Sequence, residues 1–141
     1  RKGWIHAGKA LLALKKITVS DYDRIRRLAA FGQLIANTDM HPGNLSFLVA
    51  EDGSLDLAPV YDMLPMMYAP TPANALPDHA MRAPAPRAEM LDVWTEMAQL
   101  AVECWTTLST HDLVSTDFAA LARRNAETVR IASRIVPSHV S

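Results

Sequence analysis

Asp39, His41, Asn44 and Asp62 have the residue types needed to move a proton and to hold a hard cation, and they fall within one short stretch of the chain. Asp39 is followed by four residues and then Asn44, inside Leu34-Ile35-Ala36-Asn37-Thr38-Asp39-Met40-His41-Pro42-Gly43-Asn44. A carboxylate in the first position can accept or orient the proton of an attacking hydroxyl. An asparagine at this spacing offers a neutral oxygen to magnesium, as in phosphoryl transfer of the kinase type. Asp-x4-Asn alone is a common chance pattern, and the second acid in Pro59-Val60-Tyr61-Asp62 strengthens it. His41 has two readings of equal weight, a hydrogen bond to neighbouring backbone or a role in positioning the loop. Two other classes of function stay open on these residues. Asp39, His41 and Asp62 could be ligands of a hydrolytic or nuclease metal site, or the acidic loop could simply hold the fold of a non-catalytic interaction module.

The elements around these residues must bring them together. Leu45–Ala50 and Leu55–Pro59 alternate in polarity around Asp52-Gly53, the pattern of a β-hairpin. A two-residue turn there pairs residues whose numbers sum to 105, so that Asn44 faces Tyr61 and Asp62 returns to the neighbourhood of Asn44. A longer loop would shift this register by a residue or two and leave the juxtaposition in place. Before the loop, residues 20–36 read as a helix with Ser20 as N-cap and Asn37 as its end, and Gly8–Ile17 reads as a short helix. Arg24, Arg26 and Arg27 are expected on a solvated face.

Six of the nine prolines fall between Asp62 and Pro86, which excludes regular helix there. A stretch of this kind is either functional or disordered, and its methionines are read as packing. The last third is helical, first over Ala88–Thr106 and then from a Ser115 cap through Ile135 to a stop at Pro137. Both helices carry apolar stripes, so Trp94 and Trp105 are core residues and Cys104 is expected to be a buried small residue and not a nucleophile.

Composition narrows the class. A chain of 141 residues, half of them apolar, fits one globular domain. Net charge of −1 argues against direct nucleic-acid binding. One cysteine excludes a disulfide framework and suits a cytoplasmic setting, and no apolar run is long enough for a membrane helix. The charge is uneven: residues 1–36 carry eight Lys/Arg against Asp21 and Asp23, whereas no Lys or Arg lies between Asn37 and Asp62. An acidic stretch of that kind welcomes a divalent cation.

With these residues in view, the sequence resembles the C-terminal part of HipA-type serine/threonine kinases, toxins of bacterial toxin–antitoxin pairs, and within them the YjjJ-like group. Thr38-Asp39-Met40-His41-Pro42-Gly43-Asn44 and Pro59-Val60-Tyr61-Asp62 match that family's Thr-Asp-x-His-x-x-Asn loop and Pro-x-Tyr-Asp segment in order and spacing. The resemblance implies a mainly α, protein-kinase-like C-lobe with one β-hairpin. It implies Asp39 as catalytic base, His41 as a loop residue where many kinases have lysine, and Asn44 and Asp62 as magnesium ligands beside ATP. It further implies a protein substrate and an antitoxin partner. The same loop is similar to that of aminoglycoside and choline phosphotransferases, whose second acid usually sits in an Ile-Asp setting, so Tyr61-Asp62 favours HipA. Residues 1–36 hold no glycine-rich phosphate loop, strand lysine or glutamate partner for it. The chain is therefore expected to be a C-lobe fragment lacking the N-terminal lobe.

Overall fold

The computed structural model describes residues 3–73 and 75–135. Four helices dominate: α1 (Trp4–Ala13), α2 (Val19–Leu34), α3 (Leu91–Thr110) and α4 (Thr116–Ile135). A small antiparallel hairpin, β1 (Phe47–Val49) with β2 (Leu55–Leu57), and three single 3₁₀ turns complete the chain. The fold is thus mainly helical with one hairpin.

α3 and α4 pack against one another, and α2 packs against α3. Trp94, Trp105, Ile25, Leu34, Leu121 and Val129 are buried where they meet, as the apolar stripes require. Cys104 is half-buried, and burial pushes its thiol up from its ordinary pKa, which opposes thiolate chemistry. Ser115 caps α4, accepting from the Phe118 amide at 3.2 Å. The expected stop at Pro137 and the side chain of Ile135 lie outside what is described. α3 starts at Leu91 behind a 3₁₀ turn (Ala88–Met90) and runs four residues beyond the expected end at Thr106. Ser109 and Thr110 hydroxyls bond back to the Thr106 carbonyl and so tolerate the helical turn.

Other boundaries also move. α1 begins at Trp4 and not at Gly8, because Gly8 is a contact position inside the helix. A Cβ there would meet Tyr22 and Ile25 of α2 at 3.1–3.2 Å. α2 is capped by Thr18 and not by Ser20: the Asp21 amide donates to Thr18 Oγ1 at 3.0 Å, and the hydroxyl donates to the Asp21 carboxylate. α2 ends at Leu34, before Asn37, in a Schellman-type turn. The Asn37 amide reaches the Gly32 carbonyl (2.9 Å) and the Ala36 amide reaches that of Gln33 (3.3 Å). Ala36 takes the left-handed conformation (φ 59°) that glycine usually supplies at such a cap.

The hairpin turn has three residues, not two. Gly53 (φ 79°) closes it with its amide on the Ala50 carbonyl, and the pairs Phe47–Leu57, Leu48–Asp56 and Val49–Leu55 sum to 104. Asp52 favours the longer loop because its carboxylate accepts both the amide and the hydroxyl of Ser54. The strands are shorter than expected, and the ladder closes with the Ala58 amide on the Ser46 carbonyl.

The proline-rich stretch is a strap laid over the helices with a single 3₁₀ turn, Met66–Tyr68. Its anchor is Asn125 of α4, fully buried, which donates to the Tyr68 hydroxyl at 3.0 Å and accepts from the Met81 amide at 3.1 Å. Burial raises the Tyr68 pKa above its ordinary value. Arg26 and Arg27 do not form a solvated face. Arg26 pairs with Asp92 of α3 (2.6 Å) and with Asp23, and Arg27 pairs with Asp23 (2.8 Å) and with Glu96 of α3. Their charge is taken by carboxylates that lock α2 onto α3.

Candidate functional site

The loop leaving α2 is held from three sides by side chains that bond to backbone. Asn37 is the hub. Nearly buried at the end of α2, it accepts the Asp39 amide on Oδ1 (3.0 Å) and donates from Nδ2 to the Asp62 carbonyl (3.2 Å). One amide side chain therefore fixes both acid-bearing segments relative to each other. Asn44 donates from its own Nδ2 to the Asp39 carbonyl (3.0 Å), which folds the loop back on itself. From α1, the buried indole of Trp4 donates to the His41 carbonyl at 2.8 Å. From the segment that follows β2, the Tyr61 hydroxyl donates to the Gly43 carbonyl (3.0 Å) and lies 3.1 Å from Ser46 Oγ.

Packing reinforces the bonds. Met40 lies on α2 so closely that a Cβ at Gly32 would fall 2.1 Å from its sulfur. His41 Nδ1 accepts the Gly43 amide (3.0 Å), and a Cβ at Gly43 would come within 2.8 Å of the ring. This bond gives His41 a structural part in the loop and leaves its proton on Nε2, 3.9 Å from Asp39 Oδ1. Asp62 sits at φ 51°, a left-handed position that aspartate tolerates better than most residues.

The structure therefore connects the loop of Asp39 and Asn44 to the backbone of Asp62. Their side chains do not bond to one another, and Asn44 is tied through Asp39 and not through a cross-strand pair with Tyr61. What remains open chemically is oxygen. Asn44 spends its Nδ2 inward, and among the described residues neither its Oδ1 nor the carboxylates of Asp39 and Asp62 accept a hydrogen bond. Asp39 is half exposed and lines a 220 Å³ cavity with Gly3, Asn37, Thr38, Met40, His41 and Arg87. Oxygen donors of this kind suit magnesium, which is commonly held by one or two protein ligands together with phosphate and water. Among the described residues no three His, Cys, Asp or Glu are arranged to hold a metal, so Asp39, His41 and Asp62 do not assemble as a metal triad.

Sequence reasoning missed Trp4, Gly32 and Gly43, and treated Asn37 only as a helix end. An asparagine two residues before a loop aspartate is the signature of an Asx turn and was a usable signal for Asn37. Nothing local marks Trp4, which acts across 37 positions.

The model of the HipA-like C-terminal domain family matches residues 5–136. The chain belongs to this family. It is 36% identical over 127 residues to Toxin YjjJ of Escherichia coli strain K12, a match that covers 90% of this chain and 28% of that protein. This HipA-like C-terminal domain thus spans little more than a quarter of the curated relative it matches. No solved structure matches at comparable stringency. Among the described residues, no helix of the domain is long and apolar enough to cross a membrane.

Proposed function

We propose that this HipA-like C-terminal domain is the catalytic lobe of an ATP-dependent serine/threonine protein kinase. Asp39 orients the acceptor hydroxyl and takes its proton, and Asn44 Oδ1 with the Asp62 carboxylate would hold magnesium. His41 and Asn37 keep the loop in shape. The observation that carries the reading is the Asn37 bridge, which fixes the Asp39 amide and the Asp62 carbonyl on one side chain while the catalytic oxygens stay unbonded.

Magnesium bound there would neutralise charge on the nucleotide phosphates during transfer. The chain's own residues do the rest. Asp39 is exposed enough to meet a hydroxyl, and its backbone is held at its amide by Asn37 and at its carbonyl by Asn44. Such fixing matters because a base displaced by about 1 Å loses on the order of 100-fold in rate. Residues 1–141 contain no glycine-rich phosphate loop, so transfer is proposed for the full-length protein in which this domain sits. The name of the YjjJ relative adds the proposal that the full-length protein is a toxin, and the family resemblance adds that of an antitoxin partner.

The test is Asp39→Asn in the full-length protein with γ-labelled ATP. The amide keeps the shape and loses the proton acceptor, so transfer to protein should fall by roughly 10²–10⁴-fold with the melting temperature unchanged. Wild-type transfer by the variant would remove Asp39 from the role.

A further inference from the structure

The strap presents two arginines whose charge is not neutralised. Arg24, Arg26, Arg27, Arg124 and Arg130 are each paired with a carboxylate. Arg82 and Arg87 have no carboxylate partner among the described residues. Arg87 lines the cavity that holds Asp39 and His41. Arg82 lines a larger one of 680 Å³, with Gln33, Asn37, Thr38 and His79 among its walls. The two cavities share Asn37 and Thr38 and so lie next to one another beside Asp39.

The larger cavity contains no acid. Asp78, the single acid between Met63 and Arg87, faces Arg124 at 3.9 Å. The walls are anchored on both sides: Gln33 Nε2 donates to the Ala85 carbonyl (2.9 Å), the Met67 amide to the Ala36 carbonyl (3.0 Å), and the Met81 amide to Asn125 (3.1 Å). Both arginines therefore stand on a held segment, Arg87 in the wall of the cavity that Asp39 lines and Arg82 in the wall of the larger one, a concave space large enough for a few amino-acid residues.

We propose that Arg82 and Arg87 bind carboxylates flanking the acceptor serine or threonine of the protein substrate, so that the enzyme selects an acidic acceptor segment. The inference rests on the kinase reading for the hydroxyl it places at Asp39. Guanidinium groups carried on an anchored segment and without carboxylate partners favour carboxylates over neutral side chains, and their exposure limits the gain per pair.

The experiment titrates the full-length protein, without nucleotide, with a dye-labelled heptapeptide that has serine at its centre and aspartates on both flanks. The same peptide with asparagines is the reference, and anisotropy is read at low and high salt. The aspartate peptide should bind more tightly, and high salt should narrow the difference. Arg82→Gln and Arg87→Gln should each weaken it about fivefold, and the double variant should bind both peptides alike. Lysine at either position should restore part of the preference. Equal binding of the two peptides by the wild type, or binding of neither, overturns the proposal. So does a loss of ATP affinity in the arginine variants with peptide binding intact, which would assign these groups to nucleotide phosphate. Binding and transfer fail separately: aspartate-selective binding without phosphate transfer would sink the kinase reading and leave this site standing, whereas transfer without selectivity would sink this site alone.

Discussion

The helical half of the molecule and its loop-and-strap half are held by different forces. In α2, α3 and α4, large side chains meet large side chains: Trp94, Trp105, Leu34 and Val129 are excluded from water by one another. Between Ile35 and Met90 the chain contributes fewer buried side chains. Its shape depends on single side chains that bond to backbone, namely Asn37, Asn44, Trp4, Gln33 and Asn125. Apolar packing is distributed and tolerant of conservative change, whereas a single polar tie has no substitute. The helical half should therefore govern stability and the loop half should govern activity.

Trp105→Ala is the sharpest attack on the first part of that contrast. The indole is fully buried and its Nε1 donates to the Leu34 carbonyl at 3.1 Å. Its loss should cost about 3–5 kcal/mol in a urea titration, enough to unfold a marginal domain. A change of under 1 kcal/mol would mean that the α2–α3–α4 core is not the seat of stability.

Asn37→Ala attacks the second part. It leaves the Asp39 amide and the Asp62 carbonyl without their shared partner, which should cost about 1–3 kcal/mol. Transfer by the full-length protein should fall by at least tenfold beyond the fraction unfolded, measured at a temperature where the variant is folded by circular dichroism. Activity that tracks only the folded fraction would reduce Asn37 to an ordinary buried residue.

The same contrast explains what could be read from the sequence. The stripes of α3 and α4, the Ser115 cap and the absence of helix in the strap were legible, because periodicity and proline are local signals that tertiary packing here reinforces. The hairpin was legible and its register was off by one, since Asp52-Gly53 fits both a two-residue and a three-residue turn and only the Ser54 hydrogen bonds to Asp52 decide. Two of the helix ends that were misplaced, after Ala13 and after Leu34, close through left-handed Lys15 (φ 55°) and Ala36. Residues other than glycine at such caps give the sequence no mark to find. Of the site, the chemistry-bearing residues were visible by type and spacing. Their supports were not, because Trp4 and Asn37 work through backbone atoms of distant residues.

A smaller effect belongs to the ion pairs between α2 and α3. The Arg27 and Arg26 guanidinium groups hold the Asp23 carboxyl below its ordinary pKa, and Arg26 does the same for Asp92. A depressed native pKa adds stability that is present above the unfolded value near 4 and is lost as pH falls through the native one. The pairs are largely exposed, so Asp92→Asn should cost under about 1 kcal/mol at pH 7, and this cost should be lost as pH falls through the lowered native pKa of Asp92. A pH-independent cost would assign the effect to packing.

The magnesium site proposed for Asn44 and Asp62 is the centre of the account, and a double-mutant cycle tests it directly. Nucleotide binding by the full-length wild type, Asn44→Ala, Asp62→Ala and the double variant would be titrated with magnesium. Asp62→Ala should raise the magnesium requirement more than Asn44→Ala, because it removes the charged ligand. The double variant should be little worse than Asp62→Ala alone, since one lost ligand leaves the ion where the other cannot use it. Two small effects that simply add would show that Asn44 and Asp62 do not hold one ion.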